Sequence, residues 1–294
     1  MSNKRVTLFL ITKKGFRVLE ALIEAGFQKN IGQIIIGRDK NQQDFSNEIE
    51  RLCRDSALPY FFKGDFEAIE KSYYALAIGW RWMMKEAKNL IVLHDSLLPR
   101  YRGFAPLVNA LLNRERTIGA TAIWATEQYD TGDILVQKSF DVSYPIKIKA
   151  AIDLMATCYS EIALELFQMI VSEEEIPNTP QNNELATYSL WRDEEDYQID
   201  WTRSAEAIQL FINCLGEPYK GAYSIINGRK VRIFDVAILE GVIVEGKGEG
   251  KVLFFEEGCP CIVCGSGLVK ILAAIYEDSG ESIFPLKSIK TRFT

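Results

Sequence analysis

The chain has a single histidine among its 294 residues, and that histidine begins the run His-Asp-Ser-Leu-Leu-Pro-Arg-Tyr-Arg-Gly, residues 94–103. The residues before it, Leu90 to Leu93, are apolar and partly β-branched, which predicts a buried strand. His94 therefore falls where a strand ends and a loop begins, the position at which open α/β sheets bind ligands. A histidine there can transfer protons near neutral pH, although a lone histidine is more often a packed or surface residue.

A second run, Glu-Gln-Tyr-Asp-Thr-Gly-Asp-Ile-Leu at residues 127–135, lies between two apolar stretches. Asp, Thr and Gly are turn formers, and Gly132 can adopt a positive φ, so a plain turn is one interpretation. The other is that this loop delivers the Asp130 carboxylate to His94. A carboxylate beside an imidazole orients the ring for proton transfer, so the pair would be catalytic.

The cysteines do not indicate a metal site. A structural zinc site needs four ligands, and the cluster Cys259-Pro-Cys-Ile-Val-Cys264 has no second pair of cysteines or histidines to complete one. Its alternation with apolar residues predicts a strand whose small thiols pack inside the protein. We expect all six cysteines to be reduced, as in a cytoplasmic protein, and no metal to be bound.

Predicted strands and helices alternate along the first hundred residues, which indicates a doubly wound, mostly parallel α/β sheet. The predicted strands are Val6–Ile11, Gln33–Ile36, Ala75–Ile78 and Leu90–Leu93. Apolar stripes predict one helix ending at Gly26 and a second around Ile49–Cys53. The first strand is followed by one glycine where a dinucleotide fingerprint needs three, so no nicotinamide site is expected.

A long amphipathic helix is predicted over residues 146–171, and the polar, proline-containing stretch 172–183 then predicts a domain boundary. Beyond it, one short helix around Ile208–Ile212 precedes short strands separated by glycine turns. This pattern indicates a smaller, mostly β, barrel-like domain. We therefore expect a catalytic domain over residues 1–180 and a C-terminal domain over residues 190–294.

Charge and hydropathy limit the kinds of molecule that the chain is expected to bind. The formal net charge is −6 and the pI is about 5.2, which argues against general binding to nucleic acids or anionic membranes. We expect no apolar stretch long enough to cross a bilayer, and Met1 to Arg5 lead into a strand rather than a signal peptide. The prediction is a cytoplasmic enzyme with a small-molecule substrate and no membrane partner; a homodimer is left open.

Read together, the motifs resemble the 10-formyltetrahydrofolate-dependent formyltransferase superfamily. The resemblance rests on the run 94–103, on Ile118-Gly-Ala-Thr121 and on Asp130 to Leu135. Three later segments resemble the barrel-like C-terminal domain of methionyl-tRNA and amino-sugar formyltransferases: Ile199–Thr202, Pro218–Tyr223 and Asn227–Lys230. The resemblance implies a formyltransferase core followed by that smaller domain.

The same resemblance implies the chemistry. An amine attacks the formyl carbon of 10-formyltetrahydrofolate, the co-substrate, while His94 transfers the proton and Asp130 orients it. Two loops and one strand end would line the folate pocket. The implied folate-binding residues are Ser96, Leu97, Leu98, Pro99, Thr126, Glu127, Gln128, Tyr129 and Trp80. For Trp80 a packing role is an equal alternative.

One position departs from the family pattern. The family has an asparagine two residues before the histidine, where it polarises the formyl carbonyl, and this chain has Val92. Residues two apart on a strand share a face, so Val92 occupies that place without being able to donate a hydrogen bond. Asn89, five residues before His94, is a poor substitute. Another donor replaces the asparagine, or the enzyme is slow, or activity is lost.

The charge of the chain indicates which amine accepts the formyl group. Transfer-RNA formyltransferases carry a long basic insertion early in the core, whereas here residues 37–44 are short and almost neutral. A nucleotide-linked amino sugar fits better, because a diphosphate needs only one or two cations. Arg102, Arg81 or Lys220 could supply them, although each residue by itself is more readily interpreted as a solvated surface charge than as a ligand. The alternatives are a methionyl-tRNA formyltransferase and a homologue that binds folate or a sugar nucleotide without catalysis.

Overall fold

The computed structural model describes residues 5–39, 43–65, 72–82, 89–246 and 248–294. It divides into two compact units. The first comprises residues up to 110 together with 115–142 and 151–191, and the second comprises 111–114, 143–150 and 192–294. Two short segments inside the predicted domain 1–180 therefore group with the second unit, and the first unit continues to Trp191. Lys40 to Gln42, within the short neutral region discussed above, lie outside the described residues.

The first unit is built on a sheet with helices between its strands. Its strands are β1 (Val6–Leu10), β2 (Ile31–Ile36), β3 (Tyr60–Phe62), β4 (Tyr74–Ile78), β5 (Leu90–His94), β6 (Arg102–Gly103), β7 (Thr117–Trp124), β8 (Ile134–Asp141) and β9 (Tyr188–Ser189). Its helices are α1 (Thr12–Glu24), α2 (Ser46–Asp55), α3 (Pro106–Leu112) and α4 (Ile148–Ser172), and the first residues of α4 and the last of α3 belong to the second unit.

Within the described residues the large sheet has seven strands in the order β3-β2-β1-β4-β5-β7-β8. The pairs from β3 to β5 are parallel, whereas β7 and β8 add two antiparallel strands at one side. The predicted mostly parallel, doubly wound sheet is confirmed. β1 and β2 are buried along their whole length, as expected for strands covered on both faces.

Helix α4 covers nearly the predicted range 146–171 but is more apolar than the sequence analysis allowed. It has 25 residues with a mean hydropathy of 1.3 over its most apolar window, and it is the one helix in the described part of the chain that could cross a membrane by length and composition. The expectation that no apolar stretch reaches that span was wrong. Half of that window is nevertheless buried, as in the core helix of a globular protein. The buried stripe is Ile152, Met155, Tyr159, Ile162, Leu166 and Ile170.

The second unit is mostly β, as predicted. It contains α5 (Ala205–Leu215) and the strands β10 (Ala222–Ile226), β11 (Arg229–Leu239), β12 (Val252–Glu256), β13 (Cys259–Val263) and β14 (Leu268–Tyr276). These strands form an antiparallel sheet in the order β10-β11-β14-β13-β12. Short 3-10 helices occur at Phe27–Asn30 and Asn183–Leu185 in the first unit and at Glu195–Tyr197 in the second.

Residues 291–294 join the two edges of this sheet. On one side, Ile225 of β10 and Thr294 exchange backbone hydrogen bonds of 2.8 and 3.0 Å. On the other, the N–H of Val252 in β12 donates to the Thr291 carbonyl at 3.1 Å, and the Phe293 N–H donates to the Gly250 carbonyl at 2.7 Å. The tail thus closes the sheet into a barrel, and it buries the Phe293 ring against Trp201 with 5.7 Å between ring centroids.

The cysteine cluster lies on and just after β13. Cys261 and Cys264 are buried and Cys259 is half-buried, so the predicted packing of small thiols in a strand is confirmed. Burial raises the pKa of the Cys264 thiol to about 12, which makes it unreactive at neutral pH. No group of three or more potential ligands that could hold a metal ion is found within the described ranges.

Candidate functional site

His94 is the last residue of β5 and is buried, and both of its ring nitrogens face oxygen atoms. Nε2 lies 2.8 Å from the carbonyl oxygen of Tyr101, and Nδ1 lies 3.4 Å from Oδ1 of Asp130. A carbonyl can only accept, so Nε2 carries a proton in this arrangement. A neutral ring donates to one of the two acceptors and a doubly protonated ring donates to both. The predicted pairing of His94 with Asp130 is therefore present in the structure.

Asp130 adopts the left-handed backbone conformation, with φ of 58°, which is uncommon for a residue other than glycine and clusters at functional sites. Its Oδ2 accepts the backbone N–H of Gly103 at 2.8 Å. Gly132, which can adopt a positive φ, does not do so here. Gly132 is required for another reason, because a Cβ atom there would lie 1.7 Å from the carbonyl oxygen of Trp124.

One buried hydroxyl organises the loop after His94. Thr121 Oγ1 donates to the Ser96 carbonyl at 2.6 Å and accepts from the Leu98 N–H at 3.1 Å. The Gln137 side chain donates to the same hydroxyl at 2.8 Å and to the Leu98 carbonyl at 2.9 Å. Two neighbouring strands, β7 and β8, thus fix the backbone of this loop through side chains.

The side chains of the loop 96–99 are buried or half-buried within the protein. The Ser96 hydroxyl is buried and donates to the Arg100 carbonyl at 2.6 Å. Leu98 is buried as well, and Leu97 and Pro99 are half-buried. Any ligand bound by this loop would therefore contact its backbone and the two half-buried side chains more than the serine hydroxyl.

The loop 126–129 is exposed and held by its own hydroxyls. Thr126 Oγ1 donates to the Gln128 carbonyl at 2.7 Å and lies 2.9 Å from Thr131 Oγ1. The Tyr129 ring is 65% exposed and packs against Phe104, with 6.1 Å between ring centroids. Glu127 and Gln128 are also exposed, so all four residues predicted to bind folate in this loop are accessible.

Trp80 lies just after β4 and is half-buried. Its ring packs edge-on against Phe9 at 5.1 Å and Trp82 at 4.8 Å between centroids, and its Nε1 is buried without a hydrogen-bond partner. Val92 packs against the same apolar cluster. The Trp80 ring therefore packs against its neighbours, as in the packing alternative, and its contact with folate stays a prediction.

Val92 is half-buried and shares a strand face with His94 by alternation along β5. The position two residues before the histidine thus supplies an apolar contact and no hydrogen-bond donor. Asn89 lies at the other end of the strand, where its amide donates to the Tyr73 carbonyl at 2.9 Å. The structure accordingly excludes Asn89 as a replacement for the family asparagine.

The three predicted cations are in different environments. Arg102 was expected to be accessible, and that was wrong: it is 3% exposed and donates to Gln181 Oε1 and Asn183 Oδ1. Arg81 forms a two-bond ion pair with the buried carboxylate of Asp39, at 2.7 and 3.2 Å. Lys220, in the second unit, has a side chain that is 64% exposed and lies 3.7 Å from Glu194.

Asp95, next to His94, forms an ion pair that sequence reasoning missed. Its carboxylate pairs with the Lys14 ammonium at the start of α1, and both groups are mostly buried. Burial alone raises the pKa of Asp95, but the Lys14 charge and hydrogen bond outweigh it and hold the pKa below its ordinary value. Tyr159 of α4 lies beside them, and burial raises its pKa well above the usual range.

The residues that hold the loops around the pair also escaped the sequence analysis. Thr121 belongs to a motif that carried the family resemblance, which was a usable signal. Gln137 gives no such signal on an alternating strand. Gln181 lies in the polar stretch interpreted as a domain boundary, so its composition pointed away from the site.

Comparison with known proteins gives matches along most of the chain. Residues 68–150 match the family model described as formyl transferase, and residues 192–282 match the model described as formyl transferase, C-terminal domain. The methionyl-tRNA formyltransferase of Syntrophomonas wolfei is 32% identical over 208 residues, 69% of this chain and 63% of that protein. That of Moorella thermoacetica is 30% identical over 199 residues, 68% of this chain and 62% of that protein. The chain thus spans less than two thirds of these relatives.

Solved structures match the fold at low sequence identity. The N-formyltransferase from Helicobacter canadensis, in complex with folinic acid and dTDP-3-aminofucose, gives a TM-score of 0.70 at 17% identity, over 92% of this chain and 100% of that one. A variant of HypX from Aquifex aeolicus gives a TM-score of 0.63 at 19% identity, over 94% of this chain and 45% of that one. At these identities the similarity shows the fold alone.

Proposed function

The chain belongs to the formyltransferase superfamily, and from that premise we propose that it transfers a formyl group from 10-formyltetrahydrofolate to the amine of a nucleotide-linked amino sugar. The observation that carries the proposal is the His94–Asp130 pair, which lies at the carboxyl end of a central strand with 3.4 Å between Nδ1 and Oδ1. This distance is compatible with catalysis, because hydrogen bonds between catalytic groups are often long in the absence of substrate and shorten when substrate binds.

In this reaction the amine nitrogen forms a bond to the formyl carbon, and the bond from that carbon to N10 of the folate then breaks. One proton leaves the amine and one proton reaches N10, so atoms and charge balance. His94 Nε2 is held by the Tyr101 carbonyl. The proton therefore passes through the other side of the ring, at His94 Nδ1 and Asp130 Oδ1.

The oxyanion that develops on the formyl oxygen needs a hydrogen-bond donor, and Val92 cannot supply one. We propose that His94 Nδ1, once it has accepted the proton of the attacking amine, donates its N–H to this oxygen before the proton passes to N10, which would replace part of the missing asparagine contact. Losing one oxyanion donor typically costs about 3 kcal/mol in the transition state. A slow enzyme is therefore the expected outcome.

A nucleotide-linked amino sugar is favoured over transfer RNA by charge. The chain is acidic overall, and residues 37–44 contain two cations and two carboxylates in place of a basic insertion. The Helicobacter canadensis N-formyltransferase, which has a similar fold, was solved in complex with dTDP-3-aminofucose. That complex supports a nucleotide-linked amino sugar as the class of substrate. Methionyl-tRNA is the second candidate, because the named sequence relatives are methionyl-tRNA formyltransferases.

The folate co-substrate is proposed to lie against the backbone of 96–99, the exposed loop 126–129 and the edge of Trp80. Arg81 is the proposed cation for the diphosphate in the first unit, because its side chain is 39% exposed while Asp39 fixes its orientation. Lys220 stays a prediction. Arg102 is withdrawn as a phosphate ligand because it is buried.

The test is to incubate the protein with 10-formyltetrahydrofolate and a panel of nucleotide amino sugars, with formyl-free methionyl-tRNA in parallel, and to detect the formylated product by mass. Product with an amino sugar, lost in His94→Ala, supports the proposal. Formylation of methionyl-tRNA alone selects the second candidate. Folate binding without formylation of any acceptor identifies a homologue that binds without catalysis.

A further inference from the structure

Residues 179–189, here called the clamp segment, hold both loops that carry the His94–Asp130 pair. Thr179 exchanges two backbone hydrogen bonds with Ile134, of 2.8 and 3.0 Å, just beyond the Asp130 turn. Thr187 accepts from the Tyr101 N–H at its hydroxyl, 2.9 Å, and from the Arg102 N–H at its carbonyl, 2.8 Å. One end of the segment is thus tied to the aspartate loop and the other to the histidine loop.

Gln181 lies between these ends, and its carboxamide uses its full hydrogen-bonding capacity. Oε1 accepts from Arg102 Nε at 3.1 Å and from Nη2 at 2.7 Å. Nε2 donates to the carbonyl oxygens of Asp130 at 2.8 Å and Gly132 at 2.7 Å. An amide has two acceptor and two donor positions, so all four are filled by two different loops.

We propose that Gln181 is a positioning residue, which holds the left-handed Asp130 turn at the distance from His94 that proton transfer requires. The Asp130 backbone is in an uncommon conformation and persists only where its surroundings over-determine it. Gln181 supplies that restraint from the carbonyl side, while the Gly103 N–H supplies it at the carboxylate. Arg102, adjacent to Tyr101, completes the link to the loop that binds His94 Nε2.

The chemistry of the site requires an amide. A glutamate at position 181 would still accept from Arg102, and would do so more strongly as a charged acceptor. It could not donate to the Asp130 and Gly132 carbonyls, and it would place a negative charge beside them. A methionine has similar length but loses all four bonds. Gln181→Glu therefore keeps the contact between the clamp segment and Arg102 but loses the restraint on the Asp130 turn, whereas Gln181→Met loses both.

The first experiment needs no activity. His94 is the one histidine in the sequence, so imidazole-labelled protein gives a single set of ring nitrogen signals in an NMR spectrum. Gln181→Glu and Gln181→Met should shift the Nδ1 signal in the direction seen with Asp130→Asn. Glu184→Gln is the matched control, since it makes a comparable change between acid and amide at an exposed position of the same segment. Unchanged His94 signals in a folded Gln181→Glu protein would overturn the proposal.

The second experiment rests on the proposed function. Gln181→Met should lower kcat by about a hundredfold, the loss expected from a misplacement of about 1 Å, with KM for the folate little changed. In an Asp130→Asn background the same change should cost less than about twofold, because a residue that acts through Asp130 has nothing left to position. If the kcat of the double variant is reduced by the product of the two single-variant factors, the proposal is contradicted and Gln181 has a general structural role.

The two experiments fail separately. If the parent protein formylates no acceptor, the proposed function fails while the NMR comparison still tests the role of Gln181. If the parent is active and Gln181→Glu and Gln181→Met keep parental kcat and parental His94 signals, the positioning role fails and the function stands. Thermal unfolding of each variant shows whether it is folded, and Gln181→Glu, which keeps the Arg102 contact, is the variant designed to remain so.

Discussion

The backbone N–H of Gly103 donates to Oδ2 of Asp130 at 2.8 Å, so the loop that follows His94 also holds the carboxylate that faces it. The other oxygen, Oδ1, lies 3.4 Å from His94 Nδ1. Position 103 requires glycine, because its φ is 101° and a Cβ atom there would lie 2.6 Å from the Ser189 carbonyl oxygen. The pair is therefore set by backbone geometry as much as by the identity of the two side chains.

His94→Ala should abolish formyl transfer, and Asp130→Asn should reduce kcat by one to two orders of magnitude, in the range of general acid–base contributions. Because the Tyr101 carbonyl loses the donor at His94 Nε2, His94→Ala should also lower the free energy of unfolding by about 1–3 kcal/mol. Single-turnover product formation and urea unfolding measure the two effects. Near-parental turnover in His94→Ala would exclude the histidine from the chemistry.

Thr121→Val should disorder the loop 96–99, because it removes the hydroxyl that bonds the Ser96 carbonyl and the Leu98 N–H and leaves both buried groups without that partner. We expect a loss of about 1–3 kcal/mol in unfolding free energy and weaker folate binding. Thr121→Ser keeps the hydroxyl and is the matched control. Equal folate affinity in the valine and serine variants would show that this hydroxyl does not shape the pocket.

Val92→Asn should raise turnover by about tenfold, since it restores a donor that acts in the transition state. The amide replaces a side chain packed against an apolar cluster, so a cost of about 1–3 kcal/mol in unfolding free energy accompanies the gain. Val92→Leu has a similar shape and no donor, and should show no gain. Slower turnover in the asparagine variant than in Val92→Leu would mean that another group already fills the role.

Lys14→Met should destabilise the protein by about 3–5 kcal/mol at pH 7, because it leaves the Asp95 carboxylate buried without its partner. Asp95 has a folded-state pKa below its unfolded value of about 3.9, so the parental stabilisation is present above that pH and is lost as pH falls through the lower folded pKa.

Urea unfolding between pH 3 and pH 7 should therefore show the Lys14→Met deficit shrinking as the pH is lowered. Lys13→Met is the matched control, because its ion pair with Asp153 is exposed and is worth about 1 kcal/mol or less. A deficit that is independent of pH would argue that the Lys14 side chain contributes through packing rather than charge.

Phe293→Ala should lower the unfolding free energy by about 3–5 kcal/mol, since the ring is buried against Trp201 and anchors the residues that close the barrel. Ile289→Ala, at a side chain that is 51% exposed, should cost far less. Denaturant unfolding monitored by tryptophan fluorescence compares the two variants. A small loss for Phe293→Ala would show that the barrel does not depend on residues 291–294.

Local pattern was enough to predict the sheet and the proximity of His94 and Asp130. The apolar run ending at Leu93 predicted β5, and the structure extends that strand by one residue to His94. The pairing with Asp130 followed because His94 ends β5 and Asp130 lies in the loop between β7 and β8, each within a recognisable run. Strand periodicity and turn chemistry are short-range properties, so a few residues of sequence carry them.

Contacts between distant segments were decided by the tertiary structure. Arg102 looked like a surface cation, yet it is buried and bonded to Gln181, 79 residues later. Gln181 lies in a stretch interpreted as a domain boundary, and it makes four hydrogen bonds to the loop after His94 and to the Asp130 loop. Closure of the barrel by residues 291–294 and the Lys14–Asp95 ion pair are also contacts between segments that are distant in the sequence. No periodicity or motif encodes which polar groups meet after the chain has folded, because burial and hydrogen-bond satisfaction are settled by packing of the whole unit.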